Sequence, residues 1–298
     1  MELSSVQNEI YRSRDNLIIV AGAGSGKTRV LVEKYIDVFR DDPSLVIDQV
    51  VAMTFTDKAA REMKERVMKI AQEGLASDPK NEVYQKIKRD LAFSRISTIH
   101  SFCARLLRES ALYINIDPDF KIINGVSASR RRKRFVESYI IENVKEIKKI
   151  FETDPTIKFS DLRKWLLDTI EKRGNGELPK INDEIKEALA PVEKILESYE
   201  KMEREESTLD FEDLLIFTRD FLKGNKDLKE RYANYFRYIF IDEFQDTNRI
   251  QSEIIELLRT PANRVWYIGD PKQSIYAFRG ADVDVFLEII EKSHEKSV

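Results

Sequence analysis

A single cysteine, Cys103, in 298 residues excludes an intrachain disulfide and any cysteine cluster for zinc or iron–sulfur. That scarcity fits a reducing compartment. The only two histidines, His100 and His294, lack metal-ligand spacing, which argues against a histidine metal centre. No apolar run approaches the ~20 residues that span a bilayer. The first fifteen residues do not read as a signal peptide. A cytoplasmic location with no membrane partner is expected. Charge of one sign is also missing: 50 Lys and Arg stand against 53 Asp and Glu, a net charge of −3. A nucleic acid would therefore have to be met in a local groove, since no strong field surrounds the whole molecule. There is no internal repeat and no low-complexity tract. Glycine is sparse, ten in all, yet three of the ten fall between Gly22 and Gly26.

That cluster organises the chain. Leu17 to Val20 is an apolar, β-branched run of strand length, followed by Ala21-Gly22-Ala23-Gly24-Ser25-Gly26-Lys27-Thr28. Val30, Leu31, Val32, Tyr35 and Ile36 then recur at helical spacing. Strand, glycine turn and helix is the context of a phosphate-binding loop. Its backbone N–H groups approach phosphates, and the helix N-terminus adds positive potential. Ala23 to Thr28 are the candidate nucleotide-binding residues. Lys27 would reach the β- and γ-phosphates, and Thr28 would hold Mg²⁺. Ala21 departs from the generic pattern by standing where its first glycine falls.

With 42% hydrophobic and 35% charged residues the composition is that of a soluble globular chain of one or two domains. Gln49 to Phe55 reads as a strand buried on both faces, leading into a long helix through Ile70, with Gly74 and Pro79 as breaks. A charged helix at Glu82–Asp90, a short strand at Arg95–Ile99 and a helix from His100 continue an α/β alternation that signals a parallel sheet. From about Leu112 to Glu206 strand character fades. Helical periodicity marks Phe135–Ile150, Leu162–Ile170 and Ile185–Met202. The expected organisation is an α/β domain from 1–111 and 207–298 interrupted by an all-helical insertion, 112–206. The basic run Arg130 to Arg134 reads either as one solvated helix turn or as a phosphate contact.

The α/β pattern resumes near Leu209. Tyr238-Ile239-Phe240-Ile241 is a buried strand that ends in Asp242-Glu243, and Val265–Ile268 is another that ends at Gly269-Asp270. Ligands of α/β sheets bind at the carboxyl ends of strands. Asp242 is placed there to hold Mg²⁺, and Glu243 to orient or deprotonate a water.

The glycine loop, Thr54-Phe55-Thr56-Asp57-Lys58-Ala59-Ala60, Asp242-Glu243-Phe244-Gln245-Asp246-Thr247 and the thirteen-residue run Gly269–Ala281 resemble, in order, the motifs of UvrD/Rep-type superfamily 1 DNA helicases. The wording Gly269-Asp270-Pro271-Lys272-Gln273-Ser274 and Thr98-Ile99-His100-Ser101-Phe102 is most similar to the RecB/AddA helicase–nuclease motors. The resemblance implies a RecA-like P-loop NTPase fold that uses ATP and Mg²⁺. It implies that Gln7 reads adenine, Arg29 packs on the base, and Gln273 senses the γ-phosphate and reports it to the DNA groove. Phe55, Tyr276 and Phe278 would line pockets for single-stranded bases, and Thr54, Thr98, His100 and Arg279 would touch the strand's backbone. Asp57 stands where the family more often has asparagine.

The implied function is the N-terminal motor half of an ATP-dependent 3′→5′ DNA helicase of recombination or repair, acting on single-stranded DNA and single/double-strand junctions. No Asn-Tyr-Arg-Ser-like motif of a second motor domain occurs in this sequence. That domain is expected in cis or from a partner subunit. An arginine delivered to a phosphoryl-transfer site is worth ~10³–10⁵ in turnover, so these 298 residues alone are expected to bind ATP and DNA weakly, hydrolyse slowly and not unwind. The alternative is a module that binds single-stranded DNA or a partner and uses nucleotide as a switch. A P-loop small-molecule kinase would have no use for the aromatics or the Gln273 motif.

Overall fold

The computed structural model describes residues 12–22, 24–153, 155–175, 190–273 and 283–295. They fold as two compact units, one from 1–102 with 219–298 and one from 103–218. Seven strands occur among the described residues: β1 (Leu17–Val20), β2 (Val50–Thr54), β3 (Arg95–Thr98), β4 (Lys121–Ile122), β5 (Thr208–Leu209), β6 (Tyr238–Ile241) and β7 (Arg264–Gly269).

The first unit is built on a parallel five-stranded sheet in the order β1-β7-β6-β2-β3. Burial explains why these runs pair. Every residue of β2 is buried, as are all but the first of β6 and β7, so each needs apolar packing on both faces. Alternate residues Val50, Ala52, Phe240, Trp266 and Ile268 share a core with Leu31, Tyr35, Ile36 and Phe39 of the helix Lys27–Asp41 and with Met63, Val67 and Ala71 of the helix Asp57–Ser77. Trp266 is its largest member. The indole donates to Asp15 O at 2.9 Å and meets Phe240 edge-on at 5.5 Å. Phe244 packs against Tyr267 and Phe286 at 4.8 and 5.3 Å.

Register decides where the site can form. Val20 pairs with Gly269, Ile241 with both Met53 and Tyr267, and Thr54 with Thr98. The five carboxyl ends are therefore level, and the loops that follow them share one edge.

One expected break is corrected. Gly74 lies inside the helix Asp57–Ser77, which Thr56 caps by accepting from Ala59 N at 3.1 Å. A Cβ at Gly74 would stand 2.2 Å from the Tyr84 ring. The glycine is there so that the helix Glu82–Asp90 can pack closely, and it does not end its own helix.

The second unit is mostly helical: Gly125–Glu142, Val144–Thr153, Phe159–Glu171 and Ala190–Glu206. Val136, Ile147, Ile150, Leu162, Leu166, Ile195 and Tyr199 form its apolar core. The single periodic stretch Phe135–Ile150 is two helices, because Asn143 terminates the first and donates its side-chain amide to Tyr139 O at 2.9 Å. The expectation of an all-helical 112–206 is also corrected. Lys121–Ile122 pairs in parallel with Thr208–Leu209. Both Lys121 and Ile122 are exposed, so a two-residue ladder of this kind leaves no alternating pattern in the sequence.

The basic run divides in two. Arg131 is buried and donates to Glu203 at 3.0 Å, Asp213 at 2.8 Å and Thr208 O at 2.5 Å, while Arg132 donates to Asp210 at 2.7 Å. Arg130, Lys133 and Arg134 are exposed. Two of the five charges are thus spent inside the unit. Among the described residues no helix is long and apolar enough to cross a membrane.

Candidate functional site

Five strand ends come together at the carboxyl edge of the sheet. After β1, Ala21 N donates to Gly269 O at 3.1 Å, which continues the β1–β7 pairing by one residue. Ala21 does not take a positive φ, so the glycine of the generic pattern is not demanded there. Gly24 and Gly26 do, at 72° and 84°, in the left-handed region that glycine enters without cost. Gly26 opens the helix Lys27–Asp41, and no side chain caps it. An uncapped first turn presents N–H groups and the positive end of the helix dipole to an anion. Lys27, the first helical residue, donates from Nζ to Ala21 O at 3.0 Å and lies 3.9 Å from Glu243 Oε2. Thr28 is half-buried and Arg29 exposed.

After β6, Asp242 N donates to Met53 O at 2.9 Å, which fixes the residue at the strand end. Its side chain is buried. Burial first, then the charge of Glu243, pushes its pKa up to about 6. Glu243 sits in the left-handed region at φ 54°, a conformation that costs a non-glycine residue about 1 kcal/mol. That turn leaves its carboxylate half-exposed and within reach of Lys27. Asp246, one turn on, has a buried Oδ1 with no hydrogen-bond partner and a pKa raised to about 6 by burial and by Glu243. A buried carboxylate whose anion is disfavoured is a good ligand for a hard cation. No group of three acidic, histidine or cysteine side chains for a metal is found among the described residues. One hydroxyl and one carboxylate, Thr28 and Asp242, fit Mg²⁺, which keeps several waters and takes phosphate oxygens.

After β7 comes a single turn, Pro271–Gln273. Asp270 accepts from Lys272 N at 3.1 Å and from the Gln273 side-chain amide. At the ends of β2 and β3, Thr54 and Thr98 lie side by side and buried. Thr54 donates to Thr56 O at 3.0 Å, and Thr98 bonds Ser101 Oγ at 2.9 Å. Phe55, in the turn after β2, and His100, in the first turn of the helix Ile99–Glu109 that follows β3, are half-buried. Burial lowers the pKa of His100, and the nearby Asp57 acts against that shift. Gln7, Ala23, Tyr276, Phe278 and Arg279 lie outside the described residues.

The architecture and this edge agree with a wider likeness. Residues 3–294 match the model of the UvrD/REP helicase N-terminal domain. The chain belongs to that family. The UvrD/REP likeness extends to individual relatives. The chain is 33% identical over 276 residues to a probable DNA helicase II homolog of Mycoplasma capricolum, covering 90% of this chain and 34% of that protein. It is 33% identical over 300 residues to the ATP-dependent DNA helicase PcrA of Staphylococcus aureus, covering 99% of this chain and 36% of that one. The PcrA of Staphylococcus epidermidis matches at 33% over 291 residues, 97% of this chain and 36% of the relative. The chain thus spans about a third of the length of these curated relatives. Membership of the UvrD/REP family accounts for a RecA-like α/β domain with a parallel central sheet.

Three residues at this edge carry structure that the sequence reading left without a role: Gln245, Asp246 and Asp270. Asp270 had a signal, since it follows β7 as Asp242 follows β6. The side chain of Gln245 gave none, because its partners come from two different strand ends.

Proposed function

We propose that this chain is the N-terminal motor half of an ATP-dependent DNA helicase. The observation that carries the reading is the meeting of Lys27, Asp242 and Glu243 at an uncapped, glycine-opened helix N-terminus. Ala23 to Thr28 cradle the phosphates of ATP, Lys27 neutralises them, and Gln7 and Arg29 hold the base. Thr28 and Asp242 hold Mg²⁺, whose contribution when bound is to neutralise charge between the phosphates. Glu243 orients the attacking water, and Gln273 registers the γ-phosphate. Thr54, Phe55, Thr98 and His100, with Tyr276, Phe278 and Arg279, form the track for single-stranded DNA. Stacking on such aromatics is worth ~1–3 kcal/mol per base and tolerates any sequence, as a motor requires.

Residues 112–206 are the body of an inserted subdomain, within the compact unit 103–218. Translocation, 3′→5′ by resemblance, needs a second motor domain, in cis or from a partner subunit, to close over ATP. The role is in recombination or repair in the cytoplasm, with the RecB/AddA-like wording around Gln273 favouring a helicase–nuclease motor. The 298 residues alone bind ATP and DNA weakly and do not unwind.

The test is equilibrium binding of a fluorescent ATP analogue with and without Mg²⁺, beside binding of a labelled single-stranded oligonucleotide. Mg²⁺-assisted nucleotide binding that is weakened at least tenfold in Lys27→Ala is expected. Equal affinity in both proteins would sink the assignment of this loop.

A further inference from the structure

Gln245 stands between two groups with different proposed jobs. Its Nε2 donates to Glu243 Oε2 at 2.7 Å, and its Oε1 accepts from Asp270 N at 2.8 Å. The side chain is 2% exposed, so it has no room to swing into solvent. The two partners fix the amide's orientation chemically: a carboxylate only accepts and a peptide N–H only donates. Asp270 in turn accepts from Lys272 N and from the Gln273 side chain. One continuous hydrogen-bonded chain therefore runs from Glu243 after β6, through Gln245 and Asp270, to Gln273 after β7.

Space for it is made by Gly269. A Cβ at that position would stand 2.4 Å from Gln245 Oε1 and 3.2 Å from Phe244 N. Glu243 needs an external constraint. It occupies a left-handed backbone conformation, is half-exposed, and the Lys27 ammonium is 3.9 Å away. We propose that Gln245 is a positioning residue that sets the Glu243 carboxylate and couples it to the Asp270–Gln273 turn, so that displacement of the turn is transmitted to Glu243. This coupling rests on the reading of Glu243 as the water-orienting group and Gln273 as the phosphate sensor. A buried amide holding both ends cannot follow one without moving the other, and a misplacement of about 1 Å at a reacting group costs ~10²-fold in rate.

Gln245→Met keeps length and bulk and deletes both hydrogen bonds. Gln245→Glu keeps an acceptor for Asp270 N–H and places a like charge beside Glu243. Three quantities separate the outcomes: affinity for the fluorescent ATP analogue, single-turnover hydrolysis, and hydrogen exchange of the Asp270 amide in nucleotide-free protein. For Gln245→Met the affinity stays within about threefold, hydrolysis falls about 10–100-fold, and Asp270 exchange accelerates about tenfold, the loss of one ordinary hydrogen bond. For Gln245→Glu, which keeps the acceptor for Asp270 N–H and loses the donor to Glu243, Asp270 exchange stays within about threefold of wild type while hydrolysis still falls about 10–100-fold at unchanged affinity. A merely structural glutamine would lower affinity and hydrolysis together. Should Gln245→Met fail to fold, the Gln245→Glu readings decide alone. Unchanged hydrolysis in a folded variant, or affinity that falls in step with hydrolysis, overturns the proposal. A wild-type chain that binds no nucleotide overturns the nucleotide reading and the transmission with it. Asp270 exchange then decides separately whether Gln245 holds that turn.

Discussion

Lys27 Nζ donates to Ala21 O at 3.0 Å while standing 3.9 Å from Glu243 Oε2, so one ammonium ties the loop after β1 to the carboxylate after β6. The second contact is long, and its carboxylate is half-exposed, so it stabilises the fold little. Its value is placement. In the proposed function this loosely held cation exchanges a half-solvated carboxylate for an incoming phosphate.

Asp242 contributes to the pH dependence of stability, beside Asp246, whose pKa is raised in the same direction. The folded pKa of Asp242, about 6, is above the ordinary carboxyl value, so the folded state binds more protons between the two values. Stability contributed by this group is therefore lower at pH 7, where the buried anion is present, and recovers as pH falls through about 6 toward 4. Asp242→Asn removes the anion and keeps an oxygen for Glu243 N, which Asp242 Oδ1 accepts at 3.1 Å. The variant should be more stable than wild type at pH 7 by about 2–3 kcal/mol, with the difference vanishing near pH 4. Added Mg²⁺ should stabilise wild type at pH 7 and leave the variant unmoved. Thermal melts at three pH values, with and without Mg²⁺, read both effects.

Gly269→Ala isolates the crowding at the end of β7. The backbone there is not in the left-handed region, so the cost is spatial. The new methyl would press on Gln245 Oε1 and stand 3.0 Å from Phe286 and 3.2 Å from Phe244 N. A destabilisation of about 1–3 kcal/mol is expected from overpacking. Denaturant unfolding measures it, and an unchanged midpoint would mean that the turn after β7 relaxes freely.

The five-residue basic run should divide sharply in a stability scan. Arg131→Met leaves Glu203 and Asp213 buried with one guanidinium fewer, and breaking such a buried pair costs about 3–5 kcal/mol. Arg130→Ala, Lys133→Ala and Arg134→Ala, all at exposed positions, should each fall within about 0.5 kcal/mol of wild type. Melting temperatures of the four variants check the contrast.

The sheet was legible because parallel strands buried on both faces must be continuous apolar runs, and Val50–Thr54, Tyr238–Ile241 and Arg264–Gly269 are such runs or contain them. The glycine turn before the helix Lys27–Asp41 and the placement of Asp242–Glu243 at a strand end were legible because each lies within a few consecutive residues. What escaped the sequence depends on distant partners. Gly74 looks like a helix breaker until the ring of Tyr84 is seen against it. Arg131 looks solvated until Glu203 and Asp213 close around it. Lys121–Ile122 acquires strand character only from Thr208–Leu209. Gln245, quoted within a motif, shows its use only when β6 and β7 lie side by side.

Steady-state ATP hydrolysis by this chain, with and without single-stranded DNA, tests the account most directly when run beside Lys27→Ala and Glu243→Gln. Slow turnover is predicted in wild type, with loss of nucleotide binding in Lys27→Ala and retained binding without turnover in Glu243→Gln. Turnover in either variant equal to that of wild type would contradict the assignment of Lys27, Asp242 and Glu243 as an ATP site.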